Sequence, residues 1–206
     1  MLKLYDLNLS GNCYKVRLML SLLGLEHELV AVNLPRGEHK SNAFLKLNPF
    51  GQAPVLNDGN VVIRDSQAIL VYLARRYGGE DWLPVEAEAM AKVMQWLSTA
   101  ANDIQQGVAA ARLHFIFNAQ VDLELAQSKA HKVLQIMNEV LQRQSWLECV
   151  SKSLSQESRP TIADIACFPY IALAADGKIA LTNYPHVIAW IERIKQLPGY
   201  VSMPGL

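Results

Sequence analysis

The segment that most restricts the fold of this chain is Leu47-Asn48-Pro49-Phe50-Gly51-Gln52-Ala53-Pro54-Val55-Leu56, with Arg64-Asp65-Ser66-Gln67-Ala68-Ile69 close behind it. Proline has no N–H for a β-ladder and is confined to strand starts, edges and bulges, so Pro54 introduces a strand, Val55-Leu56-Asn57. Asp58-Gly59 is a hairpin turn, and residues 60–63 read as the returning strand. Asp65-Ser66 then opens a helical run through Ile69, Leu70, Tyr72, Leu73 and Tyr77. The free N–H groups of that helix start, with the Ser66 hydroxyl, suit a small carboxylate.

The residues before this segment predict a strand over 2–7, a helix over 12–23 closed by Gly24, and a strand over 27–32. That order reads as a right-handed βαβ unit with a parallel strand pair. A polar loop, Pro35-Arg36-Gly37-Glu38-His39-Lys40, leads to a short helix over 42–47, and Gly78-Gly79 ends the helix after the hairpin. Beyond Trp82-Leu83-Pro84 the strand pattern disappears. Helical spacing governs residues 86–118 and 121–147, a polar loop covers 151–159, and helices are predicted over 165–175 and 187–197. At Pro160-Thr161-Ile162-Ala163-Asp164, Thr161 is the expected N-cap and Asp164 reaches back from the third helical position. The expected division is a domain over 1–79, a linker over 80–86 and an all-helical domain over 87–206.

Nineteen basic and nineteen acidic residues cancel, without a Lys/Arg block, which argues against nucleic acid or an anionic membrane as partner. No apolar stretch is long enough to span a bilayer, and no leader pattern opens the chain. Cys13, Cys149 and Cys167 are odd in number and far apart, unlike a disulfide framework, so a reducing cytoplasmic compartment is expected. No His, Cys, Asp or Glu group has metal-ligand spacing, so no metal is expected.

The βαβ unit, connecting helix, proline-initiated hairpin and closing helix, joined to an all-helical domain, resemble the cytosolic glutathione transferases over essentially the whole chain. The resemblance rests on Asn48-Pro49-x-Gly51-x-x-Pro54-x-Leu56, Asp65-Ser66-x-Ala68-Ile69 and Thr161-x-x-Asp164, in that order. It is to the bacterial serine-type members, similar to the theta, nu and beta classes. It implies an α/β plus all-α protein: a thioredoxin-like βαβ-α-ββα domain, then a helical bundle. Pro54, in the cis form, Thr161 and Asp164 would be structural. The resemblance also implies a cytoplasmic homodimer, active in detoxification, that uses glutathione as co-substrate, without another cofactor, and joins it to a small hydrophobic electrophile.

Conjugation needs the glutathione thiolate. A free thiol of pKa about 8.5 is only a few per cent ionised at neutral pH, and lowering it by about two units corresponds to roughly 2.7 kcal/mol of thiolate stabilisation. A hydroxyl or amide donor beside a helix N-terminus supplies this, and Ser10-Gly11-Asn12-Cys13 falls between the first strand and the first helix. By resemblance to the serine-type members Ser10 is the first candidate, Asn12 the second, and Tyr5, inside the strand, the third. Capping of the first helix by Ser10 or Asn12 is compatible with this role. Cys13 stands where thioredoxin-like folds bury their second cysteine and is expected in the core. Two alternatives remain: a glutathione-dependent disulfide or peroxide reductase working through Cys13, and a non-catalytic interaction module.

The resemblance sets Val55, just after Pro54, against the cysteinyl part of glutathione, as an added strand would pair. Asp65 and Ser66 receive the γ-glutamyl end: Ser66 and the helix N-terminus take the carboxylate, Asp65 the ammonium. Asp65 is one methylene shorter than the family's Glu. His39, Lys40 and Gln52 resemble residues that meet the glycyl carboxylate and the neighbouring backbone. Asp103 is a candidate second contact to the ammonium, from the second domain or across a dimer interface. Arg112, Phe115, Ile116, Phe117 and residues 200–203 are candidates for the electrophile pocket, and Cys149 and Cys167 for the core.

Overall fold

The computed structural model describes residues 1–148 and 158–206. Alternation along β1 (Leu2–Asp6) sets the layers, since successive side chains of a strand face opposite ways. β1 pairs in parallel with β2 (His27–Ala31) and antiparallel with β3 (Val55–Asp58), and β4 (Val61–Arg64) adds antiparallel to β3. The strand order is β2-β1-β3-β4, which is the expected βαβ unit with the hairpin added at its β1 edge. β4 begins one residue late because Asn60 belongs to the turn.

Leu2, Leu4 and Leu56 face α1 (Gly11–Leu22) and α3 (Ser66–Leu73) in the main core. On the opposite face Val32, Phe44 and Val55 form a smaller cluster beneath α2 (Asn42–Leu47), with Tyr5 edge-on to Phe44 at 6.0 Å. The Ala53–Pro54 peptide bond is cis. Asp65 is the N-cap of α3, and a π-helical turn carries that helix on to Gly78.

Among the described residues every later element is helical. α4 (Ala87–Thr99), a π-helical stretch (Ala100–Ala109) and α5 (Ala110–Phe117) run on as one rod that ends at Asn118 in left-handed conformation, φ 54°. α6 (Leu123–Leu141), α7 (Ile162–Ala172) and α8 (Pro185–Lys195) complete the bundle. α6 and α7 stop earlier than the apolar spacing suggests, and α8 starts earlier because Pro185 takes the first helical turn, where a missing N–H costs nothing. The expectations for Cys149 and for a loop over 151–157 lie outside the described residues. Cys167 is buried, as expected.

The expected capping box at Thr161 and Asp164 is present. Asp164 Oδ2 accepts from the Thr161 N–H at 3.0 Å, while Oδ1 accepts from the Leu147 N–H and Trp190 Nε1, both at 2.9 Å. One carboxylate thereby joins the segment after α6, the start of α7 and the side of α8. The two halves of the molecule meet where α1 packs on α7. Gly11 makes this possible, because a Cβ there would lie 2.7 Å from the Tyr170 ring.

Candidate active site

The turn between β1 and α1 is held from both halves of the chain. Arg17 pairs with Asp6 and donates through Nη2 to the Asn8 carbonyl at 2.9 Å. Arg112, only 3 % exposed, donates through Nη1 to the Leu9 carbonyl at 3.0 Å, while its Nε meets Asp176 Oδ2 at 2.9 Å. These bonds fix the backbone that presents Ser10. Ser10 caps α1, its Oγ accepting from the Cys13 N–H at 3.3 Å. Arg112, itself buried, thus pairs with the half-buried Asp176 and holds the turn, which corrects its expected place in an electrophile pocket.

Beside this turn lies a two-lobed cavity. The larger lobe, about 560 Å³, is lined by Leu7, Leu34, His39, Gly51, Gln67, Ala101 and Gln105, and the smaller, about 210 Å³, by Asn48, Phe50, Pro54 and Arg64. Asn12, Gln52, Ala53, Asp65 and Ser66 line both. Gly51, at φ 61°, lets the loop before the cis bond close on the His39 turn: a Cβ there would lie 2.8 Å from the His39 carbonyl oxygen. The Ser66 hydroxyl donates to Asn12 Oδ1 at 3.4 Å and couples α3 to α1 across the cavity. Among the described residues, His39 Nδ1 and Gln67 Oε1 on this wall are buried without a hydrogen-bond partner.

Of the expected site residues, Asn12, His39, Gln52, Asp65 and Ser66 are brought together on the cavity wall. Ser10 flanks the wall rather than lining it. Asp65 Oδ1 accepts from the Gln67 and Ala68 N–H groups at 2.9 and 3.0 Å, so the N-terminus of α3 is already met by the chain's own carboxylate. The expectation for Val55 is corrected. It sits on an inner strand, opposite Tyr5 on one side and Arg64 on the other, and its backbone faces neighbouring strands rather than a ligand. Ala53, before the cis bond, holds the wall position that was assigned to Val55. Lys40 is exposed and off the wall.

Asp103 turns away from the cavity. Ala101 and Gln105 reach the larger lobe, while Asp103 lines a groove between α4 and α6 with Lys129 and Lys132. The tail binds α1 instead of the cavity: the Tyr14 hydroxyl donates to the Val201 carbonyl at 2.6 Å and the Ser21 hydroxyl to the Gly199 carbonyl at 2.7 Å. Phe115, Ile116 and Phe117 are exposed near the end of α5 and line neither lobe. Tyr5 faces α2. Cys13 is fully buried, and burial pushes its thiol up to about 11, which leaves it protonated and inert at neutral pH. Gln67 and Gln105 are wall residues that the sequence reading missed. The helical spacing of Ala101 and Gln105, four apart, is the one signal that groups them on a face.

Among the described residues no group of three or more His, Cys, Asp or Glu is placed to hold a metal ion, and no helix is long and apolar enough to cross a membrane. The profile of the glutathione S-transferase N-terminal domain matches residues 4–81. Glutathione S-transferase 3 of Zea mays is 32 % identical over 209 residues, covering 97 % of this chain and 91 % of the maize protein. The chain belongs to the glutathione S-transferase family. Its fold agrees over the full length with that of another family member, a glutathione S-transferase from Pseudomonas fluorescens: TM-score 0.88, 32 % identity, 98 % of each chain covered. A glutathione transferase homologue from Drosophila mojavensis, solved with bound glutathione, superposes with TM-score 0.82 at 26 % identity, covering 96 % of this chain and 88 % of that one.

Proposed function

We propose that this transferase binds glutathione in the two-lobed cavity, stabilises its thiolate at the Ser10–Asn12 turn and directs the sulfur at a small hydrophobic electrophile. The observation that carries this reading is the convergence of Asn12, Gln52, Ala53, Asp65 and Ser66, from three separate segments, on the wall shared by both lobes. The tripeptide's backbone lies along Ala53, its γ-glutamyl end at Asp65 and Ser66, and its glycyl end toward His39 and Gln52.

Two donors are available to the sulfur. The Ser10 oxygen is occupied by the Cys13 N–H, which leaves the hydroxyl proton to give. The Asn12 side-chain oxygen is occupied by Ser66, which leaves its amide N–H groups. Both stand at the N-terminus of α1, where the helix dipole adds to thiolate stabilisation. Catalysis is then activation of one substrate and its orientation toward the other, with no covalent enzyme intermediate. Leu7 and Leu34, with Ala101 of the second half, offer the apolar side of the cavity to the electrophile.

The inert Cys13 favours conjugation over a disulfide or peroxide reductase. We further propose a cytoplasmic homodimer without a resident cofactor, since Val61, Val62 and Met94 expose apolar surface of the kind a second copy covers. Asp103 is then the group to examine for a contact across the interface. Calorimetric titration with glutathione, followed by conjugation of a generic aryl halide, tests the reading. Binding with turnover is expected, and no heat at millimolar glutathione would overturn it.

A further inference from the structure

Two guanidiniums steady the turn between β1 and α1, and each is matched by a carboxylate, Arg17 by Asp6 and Arg112 by Asp176. A third cation of the same neighbourhood is not matched. Lys15, on α1 one helical turn after Asn12, is only 1 % exposed, yet among the described residues its ammonium forms no ion pair and no hydrogen bond. It lies over the Tyr170 ring, 5.4 Å from the centre, and the same ring packs against Gly11. The ammonium and the Ser10–Asn12 turn therefore share one aromatic neighbour.

The ring face attracts a cation without neutralising it. From the helices packed on α1, the ionisable groups in electrostatic reach are Cys167 and Tyr170 of α7 and Asp65 of α3. Burial keeps the Cys167 thiol and the Tyr170 hydroxyl protonated, and Asp65 spends Oδ1 on the start of its own helix. An unmatched buried ammonium is costly, but burial lowers the pKa of Lys15 only to about 8, so it remains charged at neutral pH. The charge that the folded chain leaves unmatched is matched when an anion forms nearby, and the Ser10–Asn12 turn is where the proposed reaction forms one.

We propose that Lys15 is the remote counter-charge of the bound glutathione thiolate. It touches neither the sulfur nor its donors, and acts by its field through the buried wedge of α1, α3 and α7 on the anion that Ser10 and Asn12 hold by hydrogen bonds. This rests on the glutathione reading above and adds to it a residue that tunes the thiol without contact. As the thiol ionises, its proton passes to solvent and Lys15 keeps its own.

The ultraviolet absorbance of the thiolate in the glutathione complex of the full chain, titrated against pH, tests this. In Lys15→Met the pKa of the bound thiol should rise by about one unit, a roughly tenfold smaller thiolate fraction at neutral pH, the size of one charge acting across about 10 Å at an effective dielectric constant of about 20. Lys15→Gln should do the same, and Lys15→Arg should restore the wild-type value. S-methylglutathione, which keeps both carboxylates but has no thiol to ionise, should bind the wild type and the variants alike. The melting temperature of Lys15→Met should hold or rise, because an apolar chain replaces an unpaired buried cation. A bound thiol that keeps its wild-type pKa in either neutral variant that folds overturns the proposal. So does an equal loss of affinity for glutathione and S-methylglutathione, which would give the charge to a substrate carboxylate. A wild type that binds no glutathione, or binds it with an unshifted thiol, sinks the glutathione reading and this inference with it.

Discussion

Two aspartates stand at helix N-termini in the two halves of the molecule, and each carboxylate accepts from N–H groups at its own helix start, Asp65 from Gln67 and Ala68 and Asp164 from the N-cap Thr161. Asp164, at the start of α7, has no solvent exposure and accepts from three N–H groups of three separate segments. Asp65, at the start of α3, is exposed, places two N–H groups on a single oxygen, and holds a backbone φ of 73°. The buried carboxylate has both oxygens engaged by protein and nothing left for a ligand. The exposed one keeps an oxygen free beside the cavity, in a backbone conformation that an L-residue adopts only under constraint, as functional sites often do. Equal caps therefore divide by burial into a structural one and a binding one.

The largest effect should come from the buried member. Asp164→Ala leaves three N–H donors without an acceptor in the core, and a loss of about 3–5 kcal/mol of stability is expected. Urea denaturation measures it. The folded fraction should keep the wild-type KM for glutathione, and a raised KM with intact stability would reverse the assignment of the two caps.

Ser10 extends the comparison to a third cap, also beside the cavity. Ser10→Ala should lower aryl halide conjugation by about 10²- to 10³-fold, the usual cost of one donor to a developing anion. The loss of its cap should cost only about 1 kcal/mol. Glutathione affinity should change little. If both Ser10→Ala and Asn12→Ala retain full turnover, the thiolate lies elsewhere and the turn is only a cap.

The elements that share this cap logic were readable from the sequence because their cause is local. Thr161-x-x-Asp164, the Asp58-Gly59 turn and the helix over 42–47 depend on neighbours a few residues away, and the structure reproduces them. The site was readable less completely. Val55 and Ala53 differ by two positions, but only the place of β3 between β1 and β4 decides which of them faces a ligand. Arg112 is a cation on a helix that periodicity assigns to a pocket, and its burial depends on Asp176, 64 residues further on. Lys15 is equally unforeseen: buried on α1, its ammonium sits 5.4 Å from the centre of the Tyr170 ring, and burial lowers its pKa to about 8. Long-range pairing of charges leaves no mark in a local pattern.

The buried cap also makes the stability pH-dependent. Burial raises the Asp164 carboxyl from 3.8 to about 6, against the pull of its three N–H donors. Between these values the native state binds a proton that the unfolded chain does not, so stability falls as pH rises from about 4 to about 6. Two pH units correspond to at most about 3 kcal/mol. Urea titrations of the wild type and Asp164→Asn across this range should differ in slope by up to that amount. A difference that stays constant with pH would mean that the three donors hold the group at its ordinary value.

The smallest change in stability is expected at Asp65, and it separates binding from folding most cleanly. Replacement by alanine confounds two effects, because the cap is lost while the positive φ remains strained. Asp65→Gly divides them. Glycine adopts φ 73° freely and serves as an N-cap at a cost of only a few tenths of a kcal/mol, so stability should move by less than about 0.5 kcal/mol in either direction. The carboxylate that meets the ligand ammonium is nonetheless gone, so the KM for glutathione should rise while kcat is held by the untouched Ser10 turn. A melting temperature that drops by many degrees with an unchanged KM would show Asp65 to be a structural cap like Asp164, and the two halves would no longer differ in the way their helix starts are used.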